Sequence, residues 1–182
     1  APQHGGEPGG ETDPAAGTAP PARQRLLDLA LAMRSWALAH RAQWTLLYGT
    51  PVAEYHAPAE TTIVPGTRVI GRVLEIVVAA GGHPEAGGDP EAGAASETGT
   101  AALASTHLPA ELAGLLGRAA AELGRPEATP PQLIAAATFF SGTVGAINAE
   151  LFTQWGPQFE PHGAELFTAT TQFDAHCGWP SF

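Results

Sequence analysis

Apolar residues recur along this chain at steps of three and four, the period of an amphipathic helix, and the pattern predicts an all-α protein. Leu26, Leu29, Ala30, Met33, Trp36, Ala37 and His40 share one helical face, and Trp44, Leu47 and Tyr48 extend it. Pro21 suits the start of that helix, where its missing N–H costs nothing, and Gly49 and Pro51 end it. A second stripe runs from Pro65 through Val69, Val73, Ile76, Val77 and Ala80 to Gly81. It is rich in β-branched residues, but the chain offers no partner strand, so it reads as helix. Pro109 and Glu111 open a third helix, an acid in the first turn favouring the dipole. Its stripe is Leu112, Leu115, Leu116, Ala119 and Leu123, closed by Gly124 and Pro126.

The last third of the chain predicts two long helices. Thr129-Pro-Pro-Gln132 has the pattern of a capping box, in which side chains at the helix start satisfy free backbone N–H groups reciprocally. The helix it opens extends to about Trp155. Leu133, Ala137, Phe140, Val144, Ile147 and Leu151 alternate steps of four and three, a seam for antiparallel packing. Gly156-Pro157 breaks the chain, and a final helix from about Pro161 to His176 repeats the rhythm with Phe159, Gly163, Leu166, Thr170, Phe173 and Cys177. Phe139, Phe152 and Phe167 lie outside those seams. A face of small residues, Ser141, Gly142, Gly145, Ala146 and Ala149, adjoins the longer one. Helices apolar on more than one side need a second surface to cover them. A two-fold homodimer through a four-helix bundle is therefore expected, with Phe140, Val144, Ile147, Leu151, Phe152, Leu166, Phe167 and Phe173 at the interface.

Composition sharpens this picture. At 182 residues and 44% apolar, the chain can form one domain with a real core. Its Gly and Pro concentrate in two stretches poor in large apolar residues. The expected organisation is a disordered or linking segment over 1–21 and an all-helical domain over 22–176. A flexible acidic Gly-rich loop interrupts it over 81–107, and 177–182 form a tail. The net charge is −10, with eight Arg and no Lys. Duplex DNA is gripped by clustered cations, so this chain alone is not expected to bind it. One cysteine, Cys177, rules out an internal disulfide. No signal peptide opens the sequence, and no apolar run of membrane length is expected, which suits the cytoplasm. The chain does not begin with Met, which hints at truncation or further residues upstream.

No constellation for catalysis is evident: nucleophile-elbow, zinc-protease and phosphate-loop motifs are all lacking. None of the seven histidines pairs with another at the spacing of two helical metal ligands. No catalytic residue, metal or cofactor is expected. The aromatic residues are the better lead. Trp36, Trp44, Tyr48, Tyr55 and Phe139 suit an apolar cavity between helices, with Met33, His40, Thr143 and Asn148 adding adaptability and hydrogen bonds. The plainer alternative is that each is simply core.

Trp36-Ala-Leu-Ala-His40, followed by Leu46-Leu-Tyr-Gly-Thr-Pro51 and Glu54-Tyr-His-Ala-Pro58, resembles the regulatory half of TetR-family repressors. Within that family it is similar to the subgroup whose C-terminal domain is named for a Trp-His-Gly signature. The resemblance implies five to seven helices, a dimer through the last two, and a pocket for a small hydrophobic effector at the aromatic cluster. It also implies DNA binding only through an N-terminal helix-turn-helix domain, which is not found ahead of Ala22. Three features depart from the subgroup, one of them the long Gly-rich loop, which is an insertion. Arg41 stands where it usually has Pro, so the first helix is expected to run on past His40. Phe140-Ser-Gly142 stands where Trp-His-Gly would fall. The rival readings are an all-helical enzyme or carrier using the same cavity, and an interaction module with a solid core.

Overall fold

A computed structural model describes residues 20–49, 59–81 and 108–177. The expectations placed on 1–19, 50–58 (with Tyr55), 82–107 and 178–182 lie outside the described residues. Within them are six α-helices and no strand: α1 (Ala22–Ala39), α2 (Arg41–Tyr48), α3 (Ala59–Gly81), α4 (Ala110–Glu122), α5 (Pro130–Leu151) and α6 (Gly163–Cys177). A 3-10 turn, Pro157–His162, joins the last two. The fold is all-α, as the periodicity predicts.

α5 is the central post, packed by α3 and α6 most extensively and touched by α1, α2 and α4. Its start is the predicted capping box: Gln132 N–H donates to Thr129 Oγ1 at 3.4 Å, and Thr129 N–H donates to Gln132 Oε1 at 2.8 Å. No long apolar run is expected from the sequence, yet α5 does have the length and hydropathy of a membrane span. Its apolar residues are used for packing instead, with Leu133, Ala136, Phe139 and Ile147 in the common core. Leu26, Ala30, Met33 and Ala37 of α1 and Val73, Leu74, Ile76 and Val77 of α3 complete that core, with Trp44 and Phe167. α3 therefore is a helix despite its β-branched stripe, because both neighbours need a helical ridge.

Three expected boundaries change, the first being the end of α5, which falls at Leu151 instead of about Trp155. α3 begins at Ala59 and includes Pro65, which removes only one backbone donor from a long helix. The first helix does not run on past His40. It stops at Ala39, and His40 leaves helical geometry at φ −130° and ψ 50° before α2 resumes. The break is held by the His40 ring, which stacks on Trp36 at 5.1 Å with Nδ1 3.0 Å from the Trp36 carbonyl. The turn lets Trp44 enter the core. In α4, Leu112 and Leu115 are exposed, while Leu116, Ala119, Ala120 and Leu123 face inward. α4 packs chiefly on α5 alone, so only part of its stripe is covered.

Both α4 and α5 end in the same hydrogen-bonded motif. After α4, Gly124 is left-handed at φ 75°, with Gly124 N–H on Ala121 O and Arg125 N–H on Ala120 O. After α5, the same bonds run from Thr153 to Glu150 and from Gln154 to Ala149, but the left-handed position, φ 54°, is Thr153. Glycine usually fills this place because a β-carbon there is strained. Thr153→Gly is expected to stabilise the protein by about 1 kcal/mol, read as a higher urea midpoint at unchanged slope. A lower midpoint would show that the Thr153 side chain contributes more than its backbone strain costs. Elsewhere, Glu75 of α3 accepts from Arg72 at 2.6 Å and lies 3.4 Å from Arg125, and these contacts hold its carboxyl below the usual range.

Candidate functional site

The α1–α2 turn lines up four aromatic residues. Trp36 meets Trp44 with ring centroids 6.3 Å apart, Trp44 meets Tyr48 at 4.5 Å, and Tyr48 meets Phe140 of α5 edge-on at 6.1 Å. Trp36 is 39% exposed and Trp44 1%, while Tyr48 and Phe140 beyond it are partly buried. One polar residue fixes it. Asn148 of α5 accepts from Trp44 Nε1 at 2.7 Å and donates from Nδ2 to the Tyr48 carbonyl at 3.2 Å. A buried indole N–H without such a partner would be costly. Burial also raises the pKa of the Tyr48 phenol. Gly49 ends α2 where a β-carbon would lie only 2.3 Å from the Thr45 carbonyl oxygen, so the chain can leave the row only there as glycine.

The structure thus brings together Trp36, His40, Trp44, Tyr48 and Asn148 from the expected ligand-binding set. Met33, Phe139 and Thr143 are buried in the adjoining core. Thr143 Oγ1 has no hydrogen-bond partner among the described residues. The rings of the row touch, so a ligand enters among them only by parting them. A separate groove of about 150 Å³ opens between α1 and α6, lined by Leu27, Leu31, Phe167 and Thr171 among others. None of the aromatic row lines it.

The expected interface residues fall into two groups. Ile147 and Phe167 are 1% and 0% exposed within the protomer, and Phe140, Val144 and Leu151 pack partly on the same core. α1, α3 and the α5–α6 pairing use these seams, so Ile147 and Phe167 present no surface to a second subunit. Phe152, 47% exposed, and Phe159, 41% exposed, remain available at the turn between α5 and α6. Leu166 is half-buried, and the Phe173 side chain lies outside the described residues.

A second polar contact was not legible in the sequence. Arg34 of α1 grips Glu150 of α5 in a two-pronged ion pair, Nε to Oε2 at 2.7 Å and a terminal nitrogen to Oε1 at 2.5 Å. Both side chains are largely shielded, 18% and 15% exposed. The Arg34 guanidinium also lies 5.7 Å over the Phe167 ring. Gly163, the first residue of α6, leaves the space the carboxylate occupies: a β-carbon there would sit 2.5 Å from Glu150 Oε1. Asn148 and Glu150, on one turn of α5, therefore hold the two arms on either side of the His40 turn. The partners are 116 residues apart, so no local spacing pairs them.

The architecture is a bent aromatic arm held on a central helix, with a closing helical hairpin. Residues 26–173 match the family model of the tetracyclin repressor-like C-terminal domain, and the chain belongs to that family. It is also 30% identical over 147 residues to an HTH-type transcriptional regulator of Mycobacterium bovis and to two of Mycobacterium tuberculosis. These matches cover 81% of this chain but 56% of each relative, so it spans about half the length of the curated relatives it matches.

Proposed function

We propose that this domain senses a small hydrophobic effector and dimerises, so as to control DNA binding by a helix-turn-helix domain outside the given sequence, in the cytoplasm. The observation that carries the reading is the aromatic row, continuous from exposed Trp36 through buried Trp44 to partly buried Tyr48 and Phe140. An apolar molecule that parts it exchanges ring–ring contacts for ring–ligand contacts at low cost. The row also belongs to the arm that leads back toward the N-terminus. An effector that prefers one setting of that arm shifts the equilibrium by its differential affinity for the two settings, and by nothing else. Arg34–Glu150 and Trp44–Asn148 are the contacts through which such a shift passes from α5 to α1 and α2. A charge of −10 opposes DNA contact by this domain itself.

Dimerisation is supported by Phe152 and Phe159, two large apolar side chains left uncovered, and by Gly145 and Ser141, small exposed residues two and three turns before Phe152 on α5. Sedimentation at tens of micromolar is expected to give a dimer, and Phe152→Glu a monomer, since burying an unpaired charge in both copies opposes assembly. A monomeric unmodified protein would contradict this part. The sensing part is tested by a thermal-shift screen of uncharged aromatic and aliphatic compounds. A compound at a hundred times its dissociation constant stabilises the folded state by about 2.7 kcal/mol, which the screen resolves easily. Hits whose effect Trp44→Phe alters support the reading, and hits indifferent to Trp44 place the ligand elsewhere.

A further inference from the structure

Helical threonines usually satisfy their hydroxyl by donating to the carbonyl one turn back. In this protein Thr45 does so to Arg41, Thr168 to Ala164 and Thr171 to Phe167, each at 2.8 or 2.9 Å. Thr143 of α5 does not. It is 2% exposed, its Oγ1 has no partner among the described residues, and it sits on the inward face of α5 with Phe139 and Ile147, one turn from Phe140. A valine of the same shape would fill the place without the cost of burying an unpaired hydroxyl. Among the described residues the only other buried polar side chain is Thr171, whose hydroxyl is satisfied. Arg34 and Glu150, shielded charges among the described residues, neutralise one another.

We infer that Thr143 is the single polar contact of the effector subsite, and that the effector is an uncharged, largely apolar molecule carrying one hydrogen-bonding oxygen. The inference rests on the sensing function proposed above. A ligand that parts the Tyr48–Phe140 contact reaches the inner face of α5, where its oxygen accepts from Thr143 Oγ1. A charged ligand reaching the same place finds no counter-ion and keeps its desolvation cost.

Two measurements test this on the full chain. Without ligand, Thr143→Val is expected to raise the melting temperature by about 2–4 °C, because an unpaired buried hydroxyl is removed. A fall of that size would show the hydroxyl to be satisfied in the free protein and would overturn the proposal. With ligand, the probes are 2-acetylnaphthalene, 2-isopropenylnaphthalene and 2-naphthoate, the first two matched in shape and differing as C=O against C=CH2. The ketone should bind about five- to tenfold more weakly to Thr143→Val, while Thr143→Ser retains its binding and the alkene is indifferent to both changes. Naphthoate should give no stabilisation at the same concentrations. Equal binding of ketone and alkene to both proteins overturns the subsite and leaves the sensing function standing. Binding of naphthoate as tightly as the ketone overturns the uncharged class. Failure of all three probes to bind, in a folded protein, counts against the subsite and the sensing function together.

Discussion

Glu150→Ala should destabilise this domain by roughly 2–4 kcal/mol, below the full cost of breaking a completely buried pair because both partners keep slight solvent contact. The loss is not the worth of the ion pair. It comes mainly from Arg34, left shielded beside Phe167 with no carboxylate to meet. Replacing both partners by methionine should therefore cost less than Glu150→Ala alone, a non-additivity of the kind expected for residues in direct contact. Gly163→Ala should also be costly, because its new methyl group displaces the Glu150 carboxylate. In a Glu150→Ala background that cost should largely vanish. Urea midpoints of these variants decide the matter, and strictly additive losses would mean that the three residues do not act as one contact.

Trp44→Ala should cost about 3–5 kcal/mol, as expected for removing a fully buried large aromatic side chain. Two effects combine in that figure. The cavity forfeits contacts to Trp36 and Tyr48, and Asn148 Oδ1 loses its donor. Trp44→Phe separates them in part, because it keeps a six-membered ring and removes the N–H with the rest of the five-membered one. It should cost about 1–2 kcal/mol, the penalty of an unpartnered amide oxygen with some lost volume. Leu46→Glu, two residues away but 84% exposed, should change stability by no more than about 0.5 kcal/mol. Equal losses at Trp44 and Leu46 would contradict the burial that the His40 turn creates.

The helices were legible because their signals are local. Thr129 and Gln132 announce the start of α5, Gly124 marks the end of α4 at positive φ, and the α3 stripe keeps its period despite its β-branched residues, whereas α5 ends at Leu151 with Thr153, not a glycine, in the left-handed place. The break at His40 was not legible, because no proline or glycine marks it. It follows from a stacking contact with Trp36 and from the burial of Trp44, both tertiary. The seams of α5 and α6 were placed about one residue off, because Phe139, Thr143, Phe167 and Thr171 are buried while Phe140, Val144, Leu166 and Thr170 are only partly so, and periodicity cannot say which neighbour covers a stripe. Ile147 and Phe167 went to the protomer's own core, while Phe152 stayed outside. Of the candidate site, Trp36, Trp44 and Tyr48 were visible as a cluster in sequence and Asn148 as a nearby polar group, but Phe140, which ends the row, was assigned to the interface and Phe139 to the cluster. Its role as acceptor for Trp44 depends on a contact across 104 residues, and the Arg34–Glu150 pair on one across 116.

The most direct test of the central claim is tryptophan emission during titration with the best compound from the thermal-shift screen. Trp44 lies between Trp36 and Tyr48, so parting the row must change its surroundings. The account predicts a saturable change in emission that Trp44→Phe diminishes, with a dissociation constant matching the thermal stabilisation. A ligand that stabilises the protein while leaving the emission of Trp44 unchanged would contradict it.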